Sequence, residues 1–399
     1  MSSQTERAPS AFFTNRVRDL APSPTLAVSD RARKLKADGI DVIDLGGGDP
    51  DFITPAHIRD AATEAMNAGD THYVASAGIP GLRQAIAAKL QDDNGIEVDP
   101  DGGVIVTPGG KQALFEAALA FVEAGVDVLI PEPAWVSYGP MVELAGGRPV
   151  PVALDPDDNW RLTPEKLATA WTPAARVLLI NSPNNPTGRV FADTELAAIA
   201  NFAQERDLLV FSDEMYEKIL YDGQRHTSIA TLPGMAERTL IFNGLSKAYA
   251  MTGWRLGYVA GPRSYLQQIE KVHSHSVTCA TSFVQKAGIV ALTGPQAFIG
   301  EMVAAWDRRR HNLAAALNAI NGVKCPLVEG AFYAFADIRD TGMSSTAAAD
   351  LFLQQAHVAV TPGVAFGAAG EGHVRLSFAT SDELLEDAAV RIGNVLGTR

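Results

Sequence analysis

Residues 239–260 read TLIFNGLSKAYAMTGWRLGYVA. Two short apolar runs, 239–242 and 257–260, enclose a segment of small residues that carries two cations, Lys247 and Arg255, eight positions apart. A run that is apolar on both faces reads as a strand buried on both sides of a sheet. A lysine just past a strand lies on the surface in most proteins. Here the flanking Ser246, Ala248, Ala250 and Gly253 are small and leave room for a ligand beside the backbone. Arg255 suits an anionic group, bidentately where that group is phosphate, although a salt bridge is the plainer use of an arginine.

The same strand signature recurs upstream at 104–107, 127–130, 176–180 and 208–211, with helical patterns between. One helix is predicted from near Lys111 (KQALFEAALAFVEAG). Another covers 193–206, where Leu196, Ile199, Ala200 and Ala203 share a face and Asp193 is placed as N-cap. Buried strands alternating with helices predict an α/β fold with a mostly parallel central sheet covered on both faces. In such sheets ligands bind beyond the carboxyl ends of the strands. Gly109-Gly110-Lys111, the loop 181–186, the segment 212–216 and Ser246-Lys247 all stand just past predicted strand ends. After about residue 295 a long helical pattern (300–320) and strands near 331–336 and 374–378 predict a smaller α+β domain. The expected organisation is an N-terminal arm (1–24), an N-terminal part of the small domain (25–50), a large domain (51–295) and a C-terminal small domain (296–399). Residues 25–45 belong with the small domain because they precede the sheet and end in a short strand at 42–45.

The chain has 399 residues, 47% hydrophobic and 20% charged, which suits a soluble globular protein with a large core. Its net charge of −13 argues against nucleic acid or an anionic membrane as partner, both of which call for basic patches. No stretch nears the roughly 20 apolar residues of a membrane span. The first twenty residues lack the apolar core of a secretory signal. Cys279 and Cys325 are far apart, match no zinc-ligand spacing, and suggest a reducing compartment. A cytoplasmic enzyme or binding protein is the expectation.

Asp213 ends a strand beside Val210 and Phe211, and a buried carboxylate needs a partner, either a basic side chain or a protonated heteroaromatic nitrogen. Gly109-Gly110-Lys111-Gln112 opens a helix, and helix N-termini bind anions. Neither GxGxxG nor GxxxxGK[ST] occurs, so nothing suggests a dinucleotide or a nucleoside triphosphate. The loop NSPNNPTG (181–188) exposes amides and hydroxyls, which turn chemistry alone would also explain. Trp135 and Tyr73 read as core aromatics or as stacking surfaces. Together these groups meet the needs of pyridoxal phosphate: a lysine, a carboxylate, donors for the phenolic oxygen, a helix start and an arginine for the phosphate.

Over nearly its whole length the chain resembles the class I, aspartate-aminotransferase-like family of fold-type I pyridoxal-phosphate enzymes. The segments that carry the resemblance are LGGGDPDF (45–52), THYVASAGIPGLR (71–83), VTPGGKQALF (106–115), PAWVSY (133–138), NSPNNPTG (181–188), SDEMYE (212–217), SKAYAMTGWRLGY (246–258), PGVAFG (362–367) and HVRLSFA (373–379). The resemblance implies that Lys247 forms a Schiff base with the cofactor and shuttles the substrate proton. Asp213 would hold the pyridine nitrogen protonated, Asn185 and Tyr216 would donate to the phenolic oxygen, and Trp135 would stack on the ring. The phosphate would lie on the Gly110 and Lys111 backbone with Arg255, joined by Tyr73 from a second subunit of an obligate homodimer. Arg375 would clamp the substrate α-carboxylate, helped by Asn185 and the Gly47 backbone. No metal is implied.

Three positions depart from close relatives. Gly244 stands where several carry a phosphate-binding serine, Asp49 replaces the usual glutamate, and Pro24 takes a place often held by serine or alanine. Lys111 is associated in the GGKQALF subgroup with the distal carboxylate of the substrate, which implies aspartate as donor and 2-oxoglutarate as acceptor. Alternatives are an aromatic, broad-specificity or prephenate-type aminotransferase, or a lyase on the same scaffold. A cofactor-sensing transcription regulator would need a winged helix-turn-helix and a basic face, neither of which this acidic chain offers.

Overall fold

The computed structural model describes residues 12–18 and 20–397, so most of the expected arm's first half lies outside the described residues. In chain order the strands are β1 (Ile43–Asp44), β2 (Val104–Thr107), β3 (Asp127–Glu132), β4 (Arg148–Ala153), β5 (Ala175–Asn181), β6 (Leu209–Asp213), β7 (Thr239–Gly244), β8 (Gly257–Ala260), β9 (Tyr333–Asp337), β10 (Val358–Ala359), β11 (Thr361–Pro362) and β12 (His373–Ser377). Among the described residues, seven of them form a central sheet in the order β2-β8-β7-β6-β5-β3-β4. The run from β4 through β3, β5 and β6 to β7 is parallel, and β8 is antiparallel to both β7 and β2. All strands of this sheet except β8 therefore point the same way. Their carboxyl ends open on one side.

Alternation along the strands explains the two covered faces. Leu178 and Ile180 of β5 pack with Leu129 and Val210 on one face, while Val177 and Leu179 pack with Val128, Ile130 and Phe211 on the other. Each fully buried aliphatic side chain contributes about 1.5–3 kcal/mol of transfer free energy, so burial on both faces stabilises the sheet that carries these strand ends.

Two features depart from expectation. Strand β4 was not predicted, because Pro149 and Pro151 interrupt any apolar run and most of its residues reach solvent. Among the described residues it pairs with β3 alone, and an edge strand tolerates proline. Asp193 is not the N-cap of its helix: the helix runs Asp193–Glu205, Ala192 holds the cap position without a side-chain bond, and Asp193 lies in the first turn, where its charge favours the helix dipole. The antiparallel course of β8 follows from its connection, residues 245–256, which holds no helix to carry a parallel crossover.

A second sheet, β11-β12-β9, is antiparallel. It packs on a cluster that includes Trp306 of the helix Ala297–Asn318 together with Phe332, Phe352 and Phe378. Strand β1 pairs in parallel with β10, Ile43 opposite Val358, so residues 43–44 lie with the C-terminal part of the chain. No single described helix is long and apolar enough to cross a membrane.

Candidate active site

Beyond the carboxyl ends of the central strands lies a cavity of about 480 Å³, within the size range of small-ligand sites. Gly47, Gly110, Lys111, Trp135, Asn185, Asp213, Tyr216, Lys247, Arg255 and Arg375 all line it. Of the residues given a cofactor or substrate role in the sequence only Tyr73 is elsewhere: it is 85% exposed and outside the cavity wall. Thr25, Leu26, Ser29 and Arg33, from the helix Pro24–Ala37, close one side of the mouth.

Lys247 follows the end of β7 by three residues, and its ammonium donates to the Gly48 carbonyl. Burial disfavours the charged form and brings the amine down to about 8; Asp49 pulls it upward, and Arg375, Arg255 and Lys111 push it lower. Asp213, the last residue of β6, accepts from the Tyr138 hydroxyl at 2.7 Å and the Met215 amide at 3.1 Å. Burial raises its carboxyl to about 6 even against those two hydrogen bonds. A carboxylate held in so dry a place calls for a cationic partner.

The helix Gly110–Phe121 begins with no side-chain cap, and its first residues, Gly110 and Lys111, line the cavity. Gly109 has φ +87°, and a side chain there would meet the Arg255 guanidinium at 2.5 Å. Glycine thus lets the arginine lie against the loop. Arg255 itself is held at φ 55°, a left-handed conformation that costs a non-glycine residue about 1–2 kcal/mol. Gly244 pairs with Gly257 across the β7–β8 ladder. A Cβ at Gly244 would sit 2.9 Å from both the Gly257 Cα and the Leu256 carbonyl, so a serine does not fit on this backbone. The segment does place the hydroxyls of Ser246, which is buried, and Thr252, which bonds Asp49, on the cavity wall.

Arg375 comes from the middle of β12, opposite Phe335. Its Nη1 donates to Asn185 Oδ1 at 2.9 Å and its Nη2 to the Gly46 carbonyl at 2.5 Å, while its buried Nε has no partner among the described residues. Because Asn185 spends its oxygen on Arg375, the amide NH₂ is its donor toward the cavity. Tyr216 shares a hydrogen bond of 2.8 Å with the Tyr333 hydroxyl. The Lys111 ammonium lies 4.8 Å from the Trp135 ring centroid, an arrangement with cation–π character. Burial and the nearby Arg255 charge both hold the Lys111 amine below its ordinary range.

Tyr138 and Tyr333 were missed in the sequence. Tyr138 follows Trp135 by three positions in PAWVSY, and the two rings meet edge to face at 5.3 Å. That spacing on a forming helix turn was the available signal. Tyr333 lies among apolar residues at the start of a strand, a pattern that reads only as core.

These groups fit pyridoxal phosphate on the structure's own terms. Among the described residues the buried Asp213 carboxylate has no ion-pair partner, the helix start at Gly110 has no side-chain cap beside Arg255, and the dehydrated Lys247 lines the same cavity. Comparison with known proteins agrees. Residues 40–392 match the family model described as "Aminotransferase class I and II". The chain is 45% identical over 383 residues to an aspartate aminotransferase of Musicola paradisiaca, covering 96% of each protein. It is 44% identical over 386 residues to aromatic-amino-acid aminotransferase 2 of Thermococcus litoralis, covering 96% of this chain and 98% of that one. The solved structure of an aspartate aminotransferase from Thermus thermophilus with maleate superposes with a TM-score of 0.92 at 42% identity, covering 96% of this chain and 99% of that one.

Proposed function

The chain belongs to the class I and II aminotransferases and is a pyridoxal-phosphate-dependent transaminase of amino acids and keto acids; from that premise we propose that it takes its amino group from aspartate and passes it to 2-oxoglutarate. Bound pyridoxal phosphate supplies an electron sink for the pair left at the amino acid's Cα. Lys247 is the residue that would hold it. An amine near 8 is neutral often enough at physiological pH to take the Cα proton and return it. Asp213 would pair with a protonated ring nitrogen, which fits a carboxyl that burial would otherwise neutralise. Tyr216 and the Asn185 amide would donate to the phenolic oxygen, Trp135 would cover the ring, and Arg255, Ser246 and the Gly110–Lys111 amides would take the phosphate.

One observation carries the substrate reading: two cations stand on different walls of a single cavity. Arg375, planar, buried and oriented by Asn185, suits the α-carboxylate. Lys111 lines the same cavity and suits a second carboxylate, while Arg33, the other cation without a role there, is paired with Asp30. The Thermus relative solved with maleate, itself a four-carbon dicarboxylate, supports the same assignment. Lys111→Ala should lower kcat/KM for aspartate roughly 10-fold relative to alanine, the loss of about 1–2 kcal/mol expected of a partly exposed ion pair. An unchanged ratio removes the assignment. A second reading, an aromatic or prephenate-type substrate range, draws on the position of Lys111 over Trp135 beside Leu26, where an apolar side chain could lie once the ammonium turns to solvent. Tyrosine and prephenate-derived donors in the same assay decide between them.

We further propose an obligate homodimer in which the exposed Tyr73 completes the partner's phosphate site. A cytoplasmic location fits the two unpaired cysteines and is checked by cell fractionation.

A further inference from the structure

Tyr333 has no part in the roles given so far, yet it touches three of them. It is buried at the start of β9, in the smaller sheet. Its ring lies 4.4 Å from the Arg375 guanidinium, its hydroxyl is 2.8 Å from that of Tyr216, and it blocks any side chain at Gly48, whose carbonyl accepts from Lys247. Tyr216 belongs to the turn that follows β6 of the central sheet, so the hydroxyl pair ties that turn to the smaller sheet.

Two phenols that share one hydrogen bond must divide the roles of donor and acceptor. Tyr216 has a single proton. Given to Tyr333, it leaves only lone pairs facing the cavity, where an oxyanion would be repelled. Received from Tyr333 instead, a bond leaves the Tyr216 proton for the ligand. We propose that Tyr333 is a positioning residue: its hydroxyl donates to Tyr216 and so directs the Tyr216 proton at the cofactor's phenolic oxygen, while its ring supports the arginine that receives the substrate carboxylate.

The surrounding charges favour this direction. Burial is the largest influence on both phenols and raises each; the Arg375 cation opposes it as the second-largest influence on Tyr333, but on Tyr216 it ranks after burial and after both the charge and the hydrogen bond of Tyr333. Asp213 acts against ionisation of Tyr216 and Asp49 against that of Tyr333. The more acidic phenol of a pair is the better donor, and the arrangement makes that Tyr333. Substrate binding at Arg375 and the hydrogen bond to the cofactor are thereby joined through one side chain.

This inference rests on Tyr216 donating to the phenolic oxygen, and the test separates the two. The visible absorbance of the holoenzyme is titrated with pH in the parent, Tyr216→Phe, Tyr333→Phe and the double variant, without substrate. A donor to the phenolic oxygen stabilises the deprotonated form, so Tyr216→Phe should raise the midpoint. Tyr333→Phe, which keeps the ring under Arg375, should raise it by about 0.3 units or more, and the double variant should equal Tyr216→Phe alone, because coupled groups are not additive. A shift in Tyr216→Phe with none in Tyr333→Phe, or an additive double variant, overturns the inference. No shift in Tyr216→Phe overturns the reading beneath it. 3-Fluorotyrosine at position 333, a stronger donor of the same shape, should lower the midpoint; this holds the proposal to account even if Tyr333→Phe melts early, and an unchanged or raised midpoint there contradicts it.

Discussion

In the cofactor-free protein the Lys247 amine should titrate near 8, against 10.5 for an ordinary lysine. The drop from 10.5 to about 8 corresponds to about 3 kcal/mol against the ammonium. Burial is the largest cause, and three neighbouring cations add to it against the pull of Asp49. At pH 7.5 the neutral fraction rises from roughly 0.1% to roughly 25%, about a 200-fold gain in nucleophile. Competitive acetylation of the cofactor-free protein between pH 6 and 11, read by peptide mass spectrometry, gives the midpoint directly. Lys111→Ala should move the midpoint up by removing a repelling charge, and Asp49→Asn should move it down. Stability follows with a definite sign. The folded state holds fewer protons at this site than the unfolded state between pH 8 and 10.5, so the handicap of a buried ammonium is present below 8 and relieved as pH climbs through that window. Lys247→Met should therefore stabilise the cofactor-free protein at pH 7 and flatten its stability gain above pH 8. A midpoint above 10, or one indifferent to Lys111 and Asp49, would refute the electrostatic reasoning.

Two further outcomes are expected. Tyr138→Phe deletes a hydrogen bond that stabilises the Asp213 carboxylate, so the Asp213 titration in the cofactor-free protein, followed by ¹³C NMR, should move from about 6 upward by roughly 0.5–1 unit, and no movement would show that the bond does not matter. Mixing Tyr73→Ala chains with Lys247→Ala chains should regenerate one working site per mixed dimer; mixtures no more active than the separate variants would show that Tyr73 does not act in trans.

The parallel strands were legible because burial on both faces leaves unbroken runs such as VLLI (177–180) and TLIF (239–242). The site was legible because its polar residues follow those runs directly, which is where strand carboxyl ends must lie. What escaped had physical reasons. The edge strand β4 is mostly solvated and proline-broken, so it carries no hydrophobic period. Tyr138 and Tyr333 act through hydroxyls attached to rings that pack like any core aromatic, and nothing in composition marks the hydroxyl as used. Asp193 looked like a cap because an acidic residue favours both the cap and the first turn, and only the backbone distinguishes them. Gly244 looked like a lost phosphate contact, whereas the close β7–β8 ladder shows a position with no space for a side chain.

The central claim is that Lys247, rather than the equally cavity-lining Lys111, holds the cofactor. Borohydride reduction of the holoenzyme, followed by proteolysis and mass spectrometry, locates that attachment in one experiment. The pyridoxyl mass should be found on the peptide containing Lys247. Its appearance on Lys111 or any other lysine, or its absence from every peptide, would contradict the account.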